Sequence, residues 1–445
     1  MKEELLSLSN RIVQESLKLG FDEVAVKLVS VMSSMVKIAN SEPSVVQSWR
    51  NISVAVYLTK AKRVLVFSTQ ATNIDELFKT LKNLLETSSK LSPSPLYAPL
   101  PEPQDVKPLL KTTDRSIVQN MDDPSQLAEL LIERAHRNEI DYIAGMLSLS
   151  YNEKALVTSK GVSLYEDSTF LESYIRAFSG EGSGQWAIGS RNLSKEKLEE
   201  MAIIASDLAN KARHPEDAVP GEYDVIFSPM VAGNIFNVIA RMSSAFSVYM
   251  GSSIFLKKKV GEKVASQNLT LYDDARNPEL PGSTAFDDEG IPTMSKPIIE
   301  RGVLKTLLHN SKTATLMKTK STGNAGWVFP FPWTLRVEKG DSSLEEMISE
   351  VKNGILVTNN WYTRLQNHVE GTFSTITRDA LFYIKDGEIE RPWKKLRIVD
   401  SLPRLLQNIY LIGNKLYDIK WWEVEIPTRM PYILIKNVNT SKHTM

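Results

Sequence analysis

The sequence predicts an α+β protein: two small, related α+β units followed by a larger β-rich C-terminal domain. Three features carry that prediction. A helix-period stretch leads into several β-like runs at the start of the chain. The same order returns after a proline-rich connector. From Gly221 onward the texture changes to short runs joined by glycine turns. A length of 445 residues suits two or three such domains.

The first unit covers residues 1–92. Leu5, Ile12, Ser16 and Leu19 space roughly as one helical face over 5–19, and Gly20 ends the segment. Residues 23–29, 34–38, 52–58 and 63–67 alternate or are rich in β-branched side chains, so each is expected to be a strand. Asn73 is placed to cap a second helix over 74–85. Prolines 93, 95, 99, 101, 103 and 108 then hold residues 93–120 extended, as a linker.

The second unit, 121–220, opens on Asp123-Pro124 and a helix over 125–137, with Leu127, Leu130, Leu131 and Ala135 on one face. Strands are expected at 143–151, 154–159, 162–166 and 170–178. Residues 180–184 read as a flexible glycine turn before a helix from 195 to 213. The domain over 221–445 begins with a strand at 223–227 and Ser228-Pro229. A helix over 230–249 follows, with Val231, Ile235, Val238, Met242, Phe246 and Tyr249 as its apolar stripe. Hairpins turn at Arg301-Gly302 and Asp386-Gly387, and 432–435 reads as a closing strand.

Composition removes several function classes. Lys+Arg and Asp+Glu both total 53, so no net charge draws the chain to nucleic acid or to an anionic membrane. The run Lys257-Lys258-Lys259 reads as a solvated turn rather than a phosphate site. Without cysteine there is no disulfide, zinc finger, iron–sulfur centre or thiol nucleophile. That fits a reducing compartment. The charged start reads as no signal peptide, and no stretch of about 18 apolar residues spans a membrane. A cytoplasmic protein is expected.

No self-sufficient active site emerges from the residues. His136, His214, His309, His368 and His443 are too far apart for two to serve as ligands from one helical turn. Only His309 and His368 are expected near a functional surface, and each reads first as structural. Neither a Gly-x-Ser-x-Gly elbow nor a phosphate or dinucleotide loop occurs. Two acidic clusters remain, Asp273-Asp274 and Asp287-Asp288-Glu289-Gly290. Paired carboxylates can do acid–base work or hold a hard cation, and they can equally cap backbone donors in a turn. No catalytic residue, metal site or cofactor is assigned.

Ordered blocks in the C-terminal domain resemble the TldD/PmbA family. They are the runs from Gly221 to Ile226, Gly261 to Ser266, Phe286 to Thr293, Ile299 to Lys305, Ser321 to Ala325 and Ile412 to Leu416, with Asp273-Asp274 among them. The likeness extends through the first two units and implies a TldD/PmbA-type fold. TldD-like members resemble zinc metallopeptidases and carry His-Glu-x-x-x-His on the helix after the first strand of this domain, with a cysteine further on. By that resemblance the motif falls on Asn237, Val238 and Met242, none suited to catalytic zinc. The chain is therefore similar to the PmbA/TldE branch. The resemblance implies a zinc-bearing TldD-like partner and unfolded peptides as substrate. The 287–290 loop, Asn324, His309 and His368 are expected as cleft-lining or structural positions. A homo-oligomeric peptide-binding or regulatory protein, of the modulator type, is the alternative.

Overall fold

The computed structural model describes residues 1–70, 74–137 and 139–443. The expected cap Asn73 lies outside them. The first half comprises α1 (Lys2–Leu19), β1 (Glu23–Ala39), β2 (Glu42–Lys60), β3 (Arg63–Gln70), α2 (Ile74–Ser88), α3 (Arg115–Asn120), α4 (Ser125–Ala135), β4 (Tyr142–Thr158), β5 (Ser163–Ser179), β6 (Gly182–Ser190) and α5 (Lys195–Lys211). Helix, three strands, helix thus occurs twice, as expected of related units. The two sets of strands join into one antiparallel sheet of order β3-β2-β1-β4-β5-β6, through pairing of β1 with β4. Helices of the first unit cover one half-sheet around Ile12, Leu28, Val56 and Leu81. Those of the second cover the other around Leu131, Ile143, Ile175 and Ala205.

Several strands are longer than the sequence pattern suggests. Residues 23–29 and 34–38 belong to one strand, β1, whose serines break the alternation yet are buried. Ser34 Oγ lies 2.9 Å from Ser48 Oγ. β4 and β5 each fuse two expected strands. Their central polar residues bond to one another, Tyr151 Oη to Asp167 at 2.7 Å and Tyr165 Oη to Glu153 at 2.7 Å. Residues 180–184 are not a flexible turn. Only Gly180 and Glu181 turn, with Gly180 at φ 57°, and Gly182 begins β6. A Cβ at Gly184 would sit 2.2 Å from the Ala205 carbonyl oxygen, so glycine is what lets α5 lie on the strand.

The C-terminal domain comprises β7 (Glu216–Asp217), β8 (Glu222–Phe227), α6 (Pro229–Met242), α7 (Ala245–Tyr249), β9 (Leu271–Asp274), β10 (Ser295–Glu300), β11 (Val303–Leu304), α8 (Ser311–Leu316), β12 (Leu335–Val337), α9 (Leu344–Ser349), β13 (Asn353–Asn367), β14 (Thr372–Lys385), β15 (Glu388–Lys394), β16 (Leu396–Ser401), α10 (Leu402–Gln407), β17 (Ile409–Ile412), β18 (Tyr417–Trp421), β19 (Val424–Met430) and β20 (Ile433–Lys442). One sheet has the order β11-β10-β9-β12-β19-β18. In the other, β13 pairs with both β8 and β14, so β13, β8, β20, β16 and β14 close into a ring. Both expected hairpin turns have two consecutive positive φ values, at Arg301-Gly302 and Asp386-Gly387.

The helix expected over 230–249 is two helices. At Ser243-Ser244 the backbone is captured from outside: Leu308 N–H donates to the Ser243 carbonyl and Ala245 N–H to the Leu308 carbonyl, both at 2.9 Å. Ser253 Oγ also donates to the Met242 carbonyl at 2.7 Å. These contacts satisfy groups a continuing helix would have used. Of the expected stripe, Val231, Ile235 and Met242 are buried in the domain core, Val238 packs against it, and Tyr249 is exposed.

Candidate functional site

α6 starts where Ser228 and Pro229 dictate. The Ser228 hydroxyl accepts from Val231 N–H at 3.3 Å and donates to the Thr358 carbonyl at 2.6 Å, while proline supplies a helical φ at the first position. The helix lies against β13 and β19. Asn237 is buried at this contact. Its Oδ1 accepts from Ile426 N–H at 2.7 Å, and its Nδ2 donates to the Ile426 carbonyl at 3.1 Å and the Gly233 carbonyl at 2.9 Å. Ile426 falls outside the paired registers of β18–β19 and β12–β19, so the carboxamide serves as its ladder partner. Val238 and Met242 complete the set with apolar contacts. A carboxamide already bonded to backbone, a branched alkyl group and a thioether do not fit zinc, which takes imidazole, thiolate or carboxylate.

The 287–290 loop lies elsewhere, beneath the first sheet. Asp287 is fully buried. Its Oδ1 accepts from Glu289 and Ile291 N–H at 3.0 and 2.9 Å, and its Oδ2 from Ala325 N–H at 2.9 Å. Burial and the nearby Glu289 raise the Asp287 carboxyl well above its usual range, against the pull of those donors. Asp288 forms an ion pair with Lys27 of β1 at 2.6 Å, and its carbonyl accepts from the Trp327 indole at 2.6 Å. Glu289 accepts from Ser311 N–H and Oγ at 2.9 and 2.5 Å, and burial raises it too. Gly290 has φ 80°, and a Cβ there would meet Val162 Cγ1 at 2.7 Å.

His309 and Asn324 join the same buried web. The His309 imidazole faces Thr313 Oγ1 at 3.2 Å, and burial pushes it down to about 4. Asn324 donates to Asp273 at 2.7 Å and to the Phe331 carbonyl at 2.9 Å, and Lys296 pairs with Asp273 at 2.8 Å. Beside them, burial pushes Lys312 down to about 8, with Glu289 opposing. Asp287, Asp288, Glu289, Gly290, His309 and Asn324 are thus brought together as a filled polar seam. His368 is not among them; it sits exposed in the turn between β13 and β14.

A second polar network escaped the sequence reading. Asn360 of β13 donates to Asn234 of α6 at 3.0 Å, and its neighbour Asn359 donates to Asp379 at 2.7 Å and to Gln185 at 3.4 Å. Asp379 has φ 59° at a bulge in β14 and binds Arg176 at 2.6 Å. The signal that could have found it is the charged pair Arg378-Asp379 inside a strand whose other residues, up to the terminal Lys385, are uncharged.

Comparison with known proteins gives these geometries a context. Residues 220–442 match the family profile described as the PmbA/TldA metallopeptidase C-terminal domain, and residues 101–214 match the corresponding central domain. A metalloprotease of Methanothermobacter thermautotrophicus is 25% identical over 326 residues, 68% of this chain and 71% of that protein. Metalloprotease PmbA of Escherichia coli O157:H7 is 30% identical over 191 residues, 43% of this chain and only 40% of that protein. The structure of TldE from Thermococcus kodakarensis superposes with a TM-score of 0.81 at 20% identity, over 97% of this chain and 99% of that one. At that identity the structural likeness speaks to the fold alone.

Proposed function

The chain belongs to the PmbA/TldD metallopeptidase family, and from that premise we propose that it is a noncatalytic, TldE/PmbA-like subunit of a peptidase complex. A TldD-like relative would supply the zinc, and the complex would degrade or process unfolded peptides in the cytoplasm. The observation that carries this reading is Asn237. At the position that the resemblance gives to the first zinc-binding histidine, the side chain holds the backbone of Ile426. Val238 and Met242, at the other two motif positions, pack with the core. Peptide hydrolysis needs an activated water or a strong nucleophile. These three side chains offer neither.

A binding role has material in the long first sheet. Among the described residues β3 pairs with β2 only from Ser53 onward, and residues 42–52 of β2 pair with β1 alone. Val45, Val46 and Trp49 are exposed along that edge. Free edges take up an added strand through backbone hydrogen bonds, which need no particular sequence.

Mixing with a purified TldD-like relative tests the proposal. Co-elution and peptide cleavage are expected on mixing, with cleavage abolished by a chelator and by replacing the relative's zinc-site glutamate. Robust, chelator-resistant cleavage by this chain alone would overturn the assignment. Self-association without the relative would favour a homo-oligomeric binding protein instead.

A further inference from the structure

A cavity of about 470 Å³ opens between the first sheet and the C-terminal domain, lined by Lys37, Tyr174, Arg176, Gln185, Arg378 and Trp422 among others. Its walls are cationic and aromatic. Asp379, the carboxylate beneath it, is buried and already bound by Arg176 at 2.6 Å, Ser183 at 2.7 Å and Asn359 at 2.7 Å. Glu423 is the other carboxylate acting on Arg378. The cations Lys37, Arg176 and Arg378 against the carboxylates Asp379 and Glu423 leave one net positive charge.

The donors are not used up. Arg378 comes no closer than 3.7 Å to Asp379, lies over the Trp361 ring at 5.3 Å, and makes no side-chain hydrogen bond among the described residues. Gln185 is 2% exposed. Its carbonyl accepts from Asn359, while its amide nitrogen finds no partner among the described residues. A buried amide donor without an acceptor is costly, and Gln185 is one of the residues that line the cavity. A guanidinium fork and one amide N–H suit a planar ligand with two acceptor oxygens and a single negative charge.

We propose that this cavity binds a peptide carboxylate, held by Arg378 and Gln185 with Lys37 at the rim. The carboxylate is either the chain terminus or an Asp or Glu side chain. The inference rests on the peptide-handling reading above and adds a chemical preference to it. The location supports it. Asn359 touches Gln185, and the next residue, Asn360, touches Asn234 on α6. A peptide anchored here would lie alongside the helix whose counterpart, by family resemblance, carries zinc in TldD-like chains. Trp422 and Phe178 provide apolar surface for the residue bearing the carboxylate.

Fluorescence anisotropy on the full chain, with three labelled oligo-alanine peptides, tests this. One has a free C-terminus, one a C-terminal amide, and one an amide plus an internal glutamate. N-acetylglutamate serves as a small competitor. The acid-bearing peptides are expected to bind tighter than the plain amide. Arg378→Met, which keeps the stem over Trp361, should weaken them about tenfold or more, and Arg378→Lys should recover part of the loss. Tight binding of the free acid alone assigns the site to chain termini; tight binding of the glutamate amide assigns it to acidic side chains. Thermal melts of both variants separate misfolding from lost binding. Equal binding of all three peptides, unchanged in a folded Arg378→Met, overturns the pocket and leaves the peptide reading standing. Binding of N-acetylglutamate without any peptide binding overturns the peptide ligand, and absence of all binding overturns both.

Discussion

Asn237 does with one side chain what a neighbouring strand residue does with its backbone. It offers a donor and an acceptor to Ile426, whose peptide groups lie beside β18 and β12 but outside their registers. Asn237→Ala would strand both groups in a buried site, at a cost of about 2 kcal/mol. Asn237→Asp should cost more, because it replaces the donor to two carbonyls with a second acceptor. Urea denaturation checks both, and an aspartate variant more stable than the alanine variant would contradict the geometry. Cleavage by a reconstituted complex should survive Asn237→Ala wherever the chain stays folded. His309 makes a different prediction. Its folded-state value of about 4 lies below the usual 6.5, so between those values the unfolded chain binds the extra proton. Its contribution to stability is complete above pH 6.5 and lost as pH falls toward 4, at most about 3 kcal/mol. Asp287 and Glu289, raised by burial, shift stability in the opposite direction over acidic pH. The difference between wild type and His309→Gln therefore isolates the imidazole. Its advantage should shrink from pH 7 to pH 4.5 in thermal melts, and a constant difference would refute the assignment.

At the level of elements, periodicity carried the helices, and turn chemistry carried the tight hairpins. α1 and α4 lie where apolar spacing put them and α5 where a helix was expected, and the Arg301-Gly302 and Asp386-Gly387 turns have positive φ at both residues, with glycine at the second. Strand lengths were not legible, because local polarity in β1, β4 and β5 is met by partners on the neighbouring strand, which the pattern of one segment does not show. Asp167 is one such partner for Tyr151. The polar seam was half legible: an acidic run before proline reads as a turn, but nothing local shows that Ala325 N–H and Lys27 complete it. The pocket around Gln185 was not legible at all, since its donors come from β1, β6 and β14. β6 itself was hidden by its glycines, which suggest a loop in isolation and close packing only once α5 is present. Gly184→Ala should push α5 away from the strand, since its Cβ would lie 2.2 Å from Ala205 O and 2.5 Å from Ala209 N. Overpacking of this kind costs about 1–3 kcal/mol. Gly184 is not at positive φ, so its cost is steric; Gly251→Ala, where φ is 69° and a Cβ meets nothing within 4 Å, is the contrasting case of backbone strain without a clash. Hydrogen exchange should rise in α5 for Gly184→Ala and not for Gly251→Ala.

The whole molecule is held together by more than the shared first sheet. The C-terminal domain reaches under that sheet with the 287–290 loop, and Phe286 and Trp327 pack with Tyr57, Leu156 and Val162. On the other side, Met230, Trp421 and Val424 enter the core of the second unit. Polar contacts fix the register of this docking. Glu166 accepts from Ala285 N–H at 2.8 Å, Arg191 donates to the Leu280 carbonyl at 2.9 Å, and Lys27 pairs with Asp288 at 2.6 Å. The last of these bears on function, because Asp288 is the one acid of its loop whose carboxylate meets a cation from the first sheet. If the loop is structural, Asp288→Ala and Lys27→Met should each lower stability by about 1–2 kcal/mol. The Lys27 side chain is 24% exposed and that of Asp288 8%, so the pair lies between the weak surface case and the buried one. The double variant should lose less than the two losses added, because removing one partner already leaves the other uncompensated. Limited proteolysis should then release the first unit earlier, at the connector between α2 and α3. Specific activity of a reconstituted complex should hold in each folded variant, because the Asp288 carbonyl still receives the Trp327 indole and Asp287 still fixes the turn. Unchanged stability with abolished cleavage would reverse the conclusion and make Asp288 part of the chemistry.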